Sequence, residues 1–332
     1  MKLTFGQQRK LHKKLKVNAS AENVFIKMFM SDLKAIIGDR IRKAQSYEEV
    51  EEIINNINVK SLKKYIRNLR NDVLKKNNSG FENVFKSLTS GIHQIGQQKR
   101  YAKEFSKALP KLLKDKRIYE PLMCKFEENM SKIKDLPSDM YKELRKGYLQ
   151  GKSFRGSQVE KALYERMGSR AKLIARTESS KVNAALTEVR SRSVGVKAYM
   201  WSTSDDQRVR STHKLVNNVL FFWDDKPTFL YKAKSGKISE MTGHCGEFPN
   251  CRCVALPIFE LDDIQFPVKI ANHLSVMNEY VGIDKTRTYI SSGTIKTYNK
   301  QQFLDKFGGM FIENNNQKFI RWGNNSSSHK NN

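Results

Sequence analysis

Apolar positions between residues 20 and 150 recur three and four apart, the spacing of one helix face. Val24, Phe25, Met28, Phe29 and Leu33 form one such stripe, and Ile36, Ile37 and Ile41 continue it. Ser46 followed by Glu49 has the form of a capping box, and it precedes Val50, Ile53, Ile54 and Ile57. A third stripe holds Leu62, Tyr65, Ile66, Leu69, Val73 and Leu74, and Asn77-Asn78-Ser79-Gly80 then reads as a stop and a loop. Helical spacing resumes over 81–95 and 101–113, with Gly91 and Gly96 as weak points, and Pro110, Pro121 and Pro137 punctuate the chain from there to residue 150. No period of 20–50 residues repeats, so a solenoid is not expected. The first 150 residues predict an extended helical array whose stripes serve as core or as docking surface.

The stretch 147–156 (GYLQGKSFRG) marks a boundary. Ser157 is placed to cap a helix through Val159, Leu163 and Met167, with Gly168 ending it. A longer helix follows over 169–192, carrying Leu173, Ile174, Thr177, Val182 and Leu186 near one face. The texture then changes. Residues 194–203 alternate and are rich in β-formers, which predicts a strand. A turn and short helix over 205–214, a strand over 219–223, a polar hairpin or loop over 226–241 and a closing strand over 251–259 complete this part. In the tail, 268–280 reads as a helix, 287–291 as a short strand and 301–307 as a helix. The low-complexity end, 324–332, is expected to be disordered. The fold class is therefore α+β: a basic helical region over 1–150, a small α+β domain over 151–260, and a short mixed tail over 261–332.

Charge narrows the set of partners. The 332 residues hold 61 Lys and Arg against 34 Asp and Glu, a formal net charge of +27. The excess concentrates early, because residues 1–150 carry 33 basic and 17 acidic side chains. Such a field favours a polyanion, DNA above all. Basic side chains decorating solvated helix faces account for the same numbers. No run approaches the roughly 18 apolar residues of a membrane span. The basic start, MKLTFGQQRKLHKKLKV, lacks an apolar signal core, so a reducing cytoplasm is the expected compartment.

Candidate chemistry gathers between 170 and 258. Arg176 and Glu178 lie two apart on a helix and point in different directions, so each needs a partner from another element. Glu178 is expected to accept from Arg208 or Arg210, as a partly buried structural pair. Asp206, Arg208, Arg210 and His213 form a compact polar group at helical spacing. Taken alone it can serve a nuclease or a phosphate site, yet no carboxylate pair with metal-binding spacing accompanies it. Of four cysteines, Cys124 stands apart while Cys245, Cys251 and Cys253 fall within nine residues. On a strand, Cys251 and Cys253 face the same side. With Cys245 and either His213 or His244 they make a tetrahedral set for a structural zinc. Small buried cysteines, or a Cys245–Cys251 disulfide, are the alternatives.

The ordered set of an ARTE helix, an aromatic strand ending in Trp201, D-x-R-V-R-x-x-H and P-N-C-R-C resembles the head morphogenesis domain of phage Mu F-like minor head proteins. It covers roughly residues 150–258. The residues that match are Arg176, Glu178, Trp201, Asp206, Arg208, Arg210, His213, Pro249, Cys251, Arg252 and Cys253. Where the family carries a glycine after the histidine, this chain has Asn217-Asn218, and Asn also tolerates a left-handed turn. Cys245 lies outside the family pattern. The resemblance implies a minor structural protein of a tailed-phage head, found in the virion head and in host cytoplasm during assembly. Portal, prohead or scaffold, and capsid proteins are its implied partners. Roles in head assembly and in DNA packaging or ejection follow from the same resemblance. It also implies a protein that is not an enzyme. The tail, whose only histidine before its closing segment is His273, has no His/Glu set for a toxin. The rival functions are a metal-dependent nuclease built on Asp206, His213 and the cysteines, and a basic nucleic-acid-binding protein.

Overall fold

The computed structural model describes residues 5–16, 19–89, 110–193, 195–259, 261–282, 285–307, 311–313 and 320–322. The chain is α+β, with helices first. They are α1 (Phe5–Leu15), α2 (Ala19–Lys43), α3 (Tyr47–Asn55), α4 (Leu62–Thr89), α5 (Lys116–Ser131), a 3-10 turn (Lys132–Asp135), α6 (Leu136–Lys146) and α7 (Gly156–Ser193). Then come β1 (Ala198–Ser202), α8 (Ser211–Leu215), β2 (Val219–Phe222), β3 (Thr228–Lys232), β4 (Ile238–Thr242) and β5 (Val254–Pro257). The tail holds β6 (Val268–Gly282), β7 (Lys285–Tyr298), α9 (Lys300–Phe307), β8 (Phe311–Glu313) and β9 (Ile320–Trp322). Two compact units interleave along the chain: Val17–Lys76 with Glu120–Val182, and Met1–Lys16 with Asn77–Tyr119 and Asn183–Asn332.

The first of these is all-helical. Phe25, Phe29, Leu33, Ile37 and Ile41 of α2 are buried, as are Val50, Ile53 and Ile54 of α3. Val24 and Met28, counted in the same stripe by spacing, are instead exposed. Ser46 caps α3 by accepting from the Glu49 N–H, and Glu49 reaches back to the N–H of Gln45, one residue before the expected one. Polar braces link distant segments: Arg42 forks onto Glu160, Tyr65 donates to Asp32, and Arg70 pairs with Glu120 and Glu127. Gly156 opens α7 because a Cβ there would strike the carbonyl oxygens of Ile41 and Arg42.

Two expected helix breaks do not occur. Gly168 sits inside α7, at the cost of about 1 kcal/mol that a glycine imposes on a helix interior. Asn77-Asn78-Ser79-Gly80 lies inside α4. Tertiary contacts override local propensity here. The Asn77 amide is fully buried and donates to the Asn183 side chain at 2.8 Å and to Thr187 at 3.1 Å. It also accepts from Arg190, which donates to Asn78 as well. Gly80 lets α1 approach, since a Cβ would lie 2.5 Å from the Lys14 carbonyl oxygen. Pro121, too, is carried inside a helix, in the first turns of α5. The helix expected over 101–113 falls largely outside the described residues, as does the 324–332 end.

The second unit is built on a mixed seven-stranded sheet in the order β4-β3-β6-β2-β1-β5, with β7 paired along β6. The expected helix over 268–280 is instead strand β6, which runs parallel to both β2 and β3 and antiparallel to β7. An irregularity near His273 (φ 46°) bends β6 so that one strand serves two neighbours. Gly293 faces this bend on β7 with φ +71°, and a side chain there would collide with the His273 backbone.

Strand alternation makes two cores. Ala198, Met200, Leu220, Phe222, Leu256 and Ile270 face Leu11 and Leu15 of α1 and Phe303 and Phe307 of α9. Tyr199, Trp201, Phe221, Ala255 and Val276 face the other way, onto Val216, Phe248 and the three clustered cysteines.

Candidate metal centre

The second core is where the candidate chemistry converges. β1 delivers Trp201, and a turn with Asp205 left-handed (φ 52°) leads to Asp206. Asp206 closes that turn by accepting from the Arg208 N–H at 2.9 Å. Helix α8 then begins after Arg210 and carries Thr212 and His213, both buried. Asn218, with φ 60°, takes the left-handed position expected at Asn217-Asn218, and its N–H returns to the Trp201 carbonyl at 2.8 Å. Asn217 accepts from the Thr203 N–H at 3.0 Å, so both asparagines fix the excursion between β1 and β2.

The opposing wall is the loop from Gly243 to Cys253. Glu247 accepts from the His244 N–H at 2.7 Å, and Asn250 (φ 54°) turns the chain back so that the Cys251 N–H reaches the Phe248 carbonyl. Cys251 and Cys253 precede β5 rather than lying on it, which corrects the same-face strand argument. They converge for another reason. The Cys253 N–H points at the Cys251 sulfur at 3.4 Å, and both sulfurs approach His213 Nδ1, at 3.6 Å and 3.5 Å. The ligand atoms of His213, Cys251 and Cys253 lie within 4.8 Å of one another. Among the described residues this is the one such group of His, Cys and carboxylate side chains. Cys245, 1% exposed, is buried in the same core cluster as Cys251 and Cys253. No disulfide joins Cys245 to Cys251.

The cluster is sealed. His213 packs against the rings of Trp201, Phe229 and Phe248 at centroid distances of 5.3, 5.1 and 5.2 Å. The thiols hold their protons. Sharing with Cys253, and then burial, lifts Cys251 well above its ordinary value. Cys253 is raised by its hydrogen bond with Cys245, and Cys245 by burial. Desolvation penalises thiolates wherever no cation compensates them. His244 turns away, its ring set between the Trp223 carbonyl at 3.0 Å and the Tyr199 hydroxyl at 3.2 Å. Burial lowers its pKa to about 4, so it stays neutral.

The polar residues act as latches between the two walls. Arg252 forks onto both carboxylate oxygens of Asp206 and holds its pKa down at about 2. Arg210 donates to the Pro249 carbonyl at 2.7 Å. Asp206 therefore pairs with Arg252, not with Arg210 as helical spacing predicts, because 206–210 is a turn. Arg208 contributes its backbone N–H, and its side chain is exposed. The expected link from Glu178 to Arg208 or Arg210 is also corrected. Glu178 accepts from Asn129 at 2.9 Å and Lys181 at 3.0 Å, and Arg176 pairs with Glu22 at 3.5 Å. Sequence reasoning missed Glu22 and Asn129 because both partners sit on helices far off in the chain, where spacing carries no signal.

The cluster is closed and thiol-rich, and the Asp206–Arg252 ion pair and the Arg210–Pro249 hydrogen bond brace its two walls. Residues 138–256 match the family model described as Phage Mu protein F like protein, the family that the motifs of this region resemble. An uncharacterized protein of Haemophilus influenzae is 42% identical over 91 residues, 27% of this chain and 18% of that relative. The chain thus spans less than a fifth of the relative's length. No solved structure matches. Among the described residues no helix is long and apolar enough to cross a membrane.

Proposed function

We propose that this chain is a minor structural protein of a tailed-phage head, acting in capsid assembly around the portal rather than as an enzyme. The observation that carries this is the match of residues 138–256 to the phage Mu F-like family, with the motif residues of the sheet unit used as latches and core. In this role Asp206 is occupied by Arg252, and His213 is enclosed by aromatic rings. Neither is presented to a scissile phosphate, which argues against the nuclease alternative. The helical region serves as the docking element for portal, prohead or scaffold, and capsid proteins. Its basic excess, within a chain of net charge +27, suits contact with packaged DNA during filling or ejection.

Co-expression with the portal protein of the same phage or prophage, followed by affinity capture of the portal, tests the proposal. Stoichiometric recovery of this chain supports it, and recovery no better than for an unrelated basic protein counts against it. Duplex binding across a salt series tests the DNA contact: affinity must fall steeply as salt rises.

A further inference from the structure

We infer that His213, Cys245, Cys251 and Cys253 form a tetrahedral site for a structural zinc ion that pins α8 to the 243–253 loop. The geometry is the first reason. Zn–S bonds of about 2.3 Å and a Zn–N bond of about 2.0–2.1 Å set the sulfur–nitrogen edge of a tetrahedron at about 3.6 Å. His213 Nδ1 stands 3.6 Å from the Cys251 sulfur and 3.5 Å from the Cys253 sulfur. Those are the edges of a zinc coordination shell. Cys245 is buried in the same core cluster, outside the 4.8 Å group that the other three form, and a zinc ion would draw it in as the third thiol.

The donor chemistry is the second reason. Three sulfurs and one imidazole nitrogen, all buried, match a closed zinc shell and match neither magnesium nor calcium, which take oxygen ligands. Binding through Nδ1 requires the proton of His213 to sit on Nε2. Among the described residues that atom is buried without a hydrogen-bond partner, and the ring packs against Trp201, Phe229 and Phe248.

Charge is the third reason. Each thiol gives up its proton on binding, so three thiolates, a neutral imidazole and Zn2+ carry a net charge of −1. Arg210 lies at the edge of this loop, donating to the carbonyl of Pro249, and its buried Nη1 has no hydrogen-bond partner among the described residues. A guanidinium held there offsets the negative shell. The latches gain a purpose too: Asp206–Arg252 and Arg210–Pro249 hold the two walls at ligand distance. The inference is independent of the head-protein proposal, because it concerns how this unit closes and not what it docks on.

The test uses the full chain, expressed with zinc in the medium and purified without chelator. Elemental analysis is expected to find about one zinc per chain, lost in Cys251→Ser and Cys253→Ser and retained in Cys124→Ser. Refolding the wild-type chain with cobalt alone is expected to give thiolate-to-cobalt charge-transfer absorption that added zinc abolishes. This measurement does not depend on whether the serine variants fold. Cys245→Ser should cut that absorption by about a third, one thiolate of three. Undiminished absorption in Cys245→Ser overturns the four-ligand set. Zinc-free protein that also gives no charge-transfer band with cobalt overturns the site, as does a mass two hydrogens low from a Cys245–Cys251 disulfide.

Discussion

Asn77→Ala sets local propensity directly against tertiary structure. Alanine is the better helix former by about 0.6 kcal/mol, so on local grounds the change stabilises α4. The structure gives the opposite sign. Asn77 is fully buried, and its amide bonds Asn183 and Thr187 while accepting from Arg190. Arg190 is itself fully buried, and burial lowers its pKa to about 10. Removing the Asn77 carbonyl strips a hydrogen bond from a buried charge, worth about 1.5–3 kcal/mol, and the amide bonds add about 1 kcal/mol. The net loss is about 3 kcal/mol. Trp201 and Trp223 are buried in the same compact unit as Asn77, so tryptophan fluorescence during urea unfolding reports on it. With a slope of about 2 kcal/mol per M, the midpoint should drop by about 1.5 M. A midpoint unchanged or raised in Asn77→Ala would refute the account of why α4 runs through an Asn-Asn-Ser-Gly sequence.

Acid should loosen the sheet unit through His12, whose Nδ1 lies 2.9 Å from the Ser202 hydroxyl and whose pKa burial lowers to about 4. Its neutral form is favoured by folding, so its contribution is whole above the unfolded value near 6.5, declines as pH falls, and is gone below about 4. The loss is about 3 kcal/mol between those limits, and His12→Gln should flatten the fluorescence-monitored stability profile there. Gly293→Val forces a β-branched residue to φ +71° against the His273 backbone; melting of the unit should occur at least several degrees lower, and an unchanged melt contradicts the bend as described. Asp206→Asn removes one charge of a pair whose side chains are 18% and 39% exposed. Global stability should change by less than about 1 kcal/mol, while thiol-reagent labelling of Cys251 and Cys253 in metal-free protein accelerates.

The helices of 19–55 and the switch to strands near 198 were legible because period and burial coincide there. β6 carries a helix-like apolar spacing for a physical reason. Val268, Ile270, Ala271, Leu274 and Val276 are all buried, the first two in one core and the rest in the other. A strand that bends at His273 to serve both cores spaces its apolar residues like a helix face. The asparagines of α4 and Gly168 of α7 misled in the converse way, since their fit depends on neighbours distant in sequence. In the candidate site, His213 with Cys251 and Cys253 was readable from residue type and closeness of the cysteines. The Asp206–Arg252 latch was not, because helical spacing was assumed where the chain turns.

The head-protein proposal is tested most directly by quantitative mass spectrometry of gradient-purified phage heads, with and without portal. This chain is expected to co-sediment with portal-containing heads in a few copies each and to be lost from portal-less particles. Heads that carry portal and lack this chain, while it accumulates free in the lysate, would contradict the proposal.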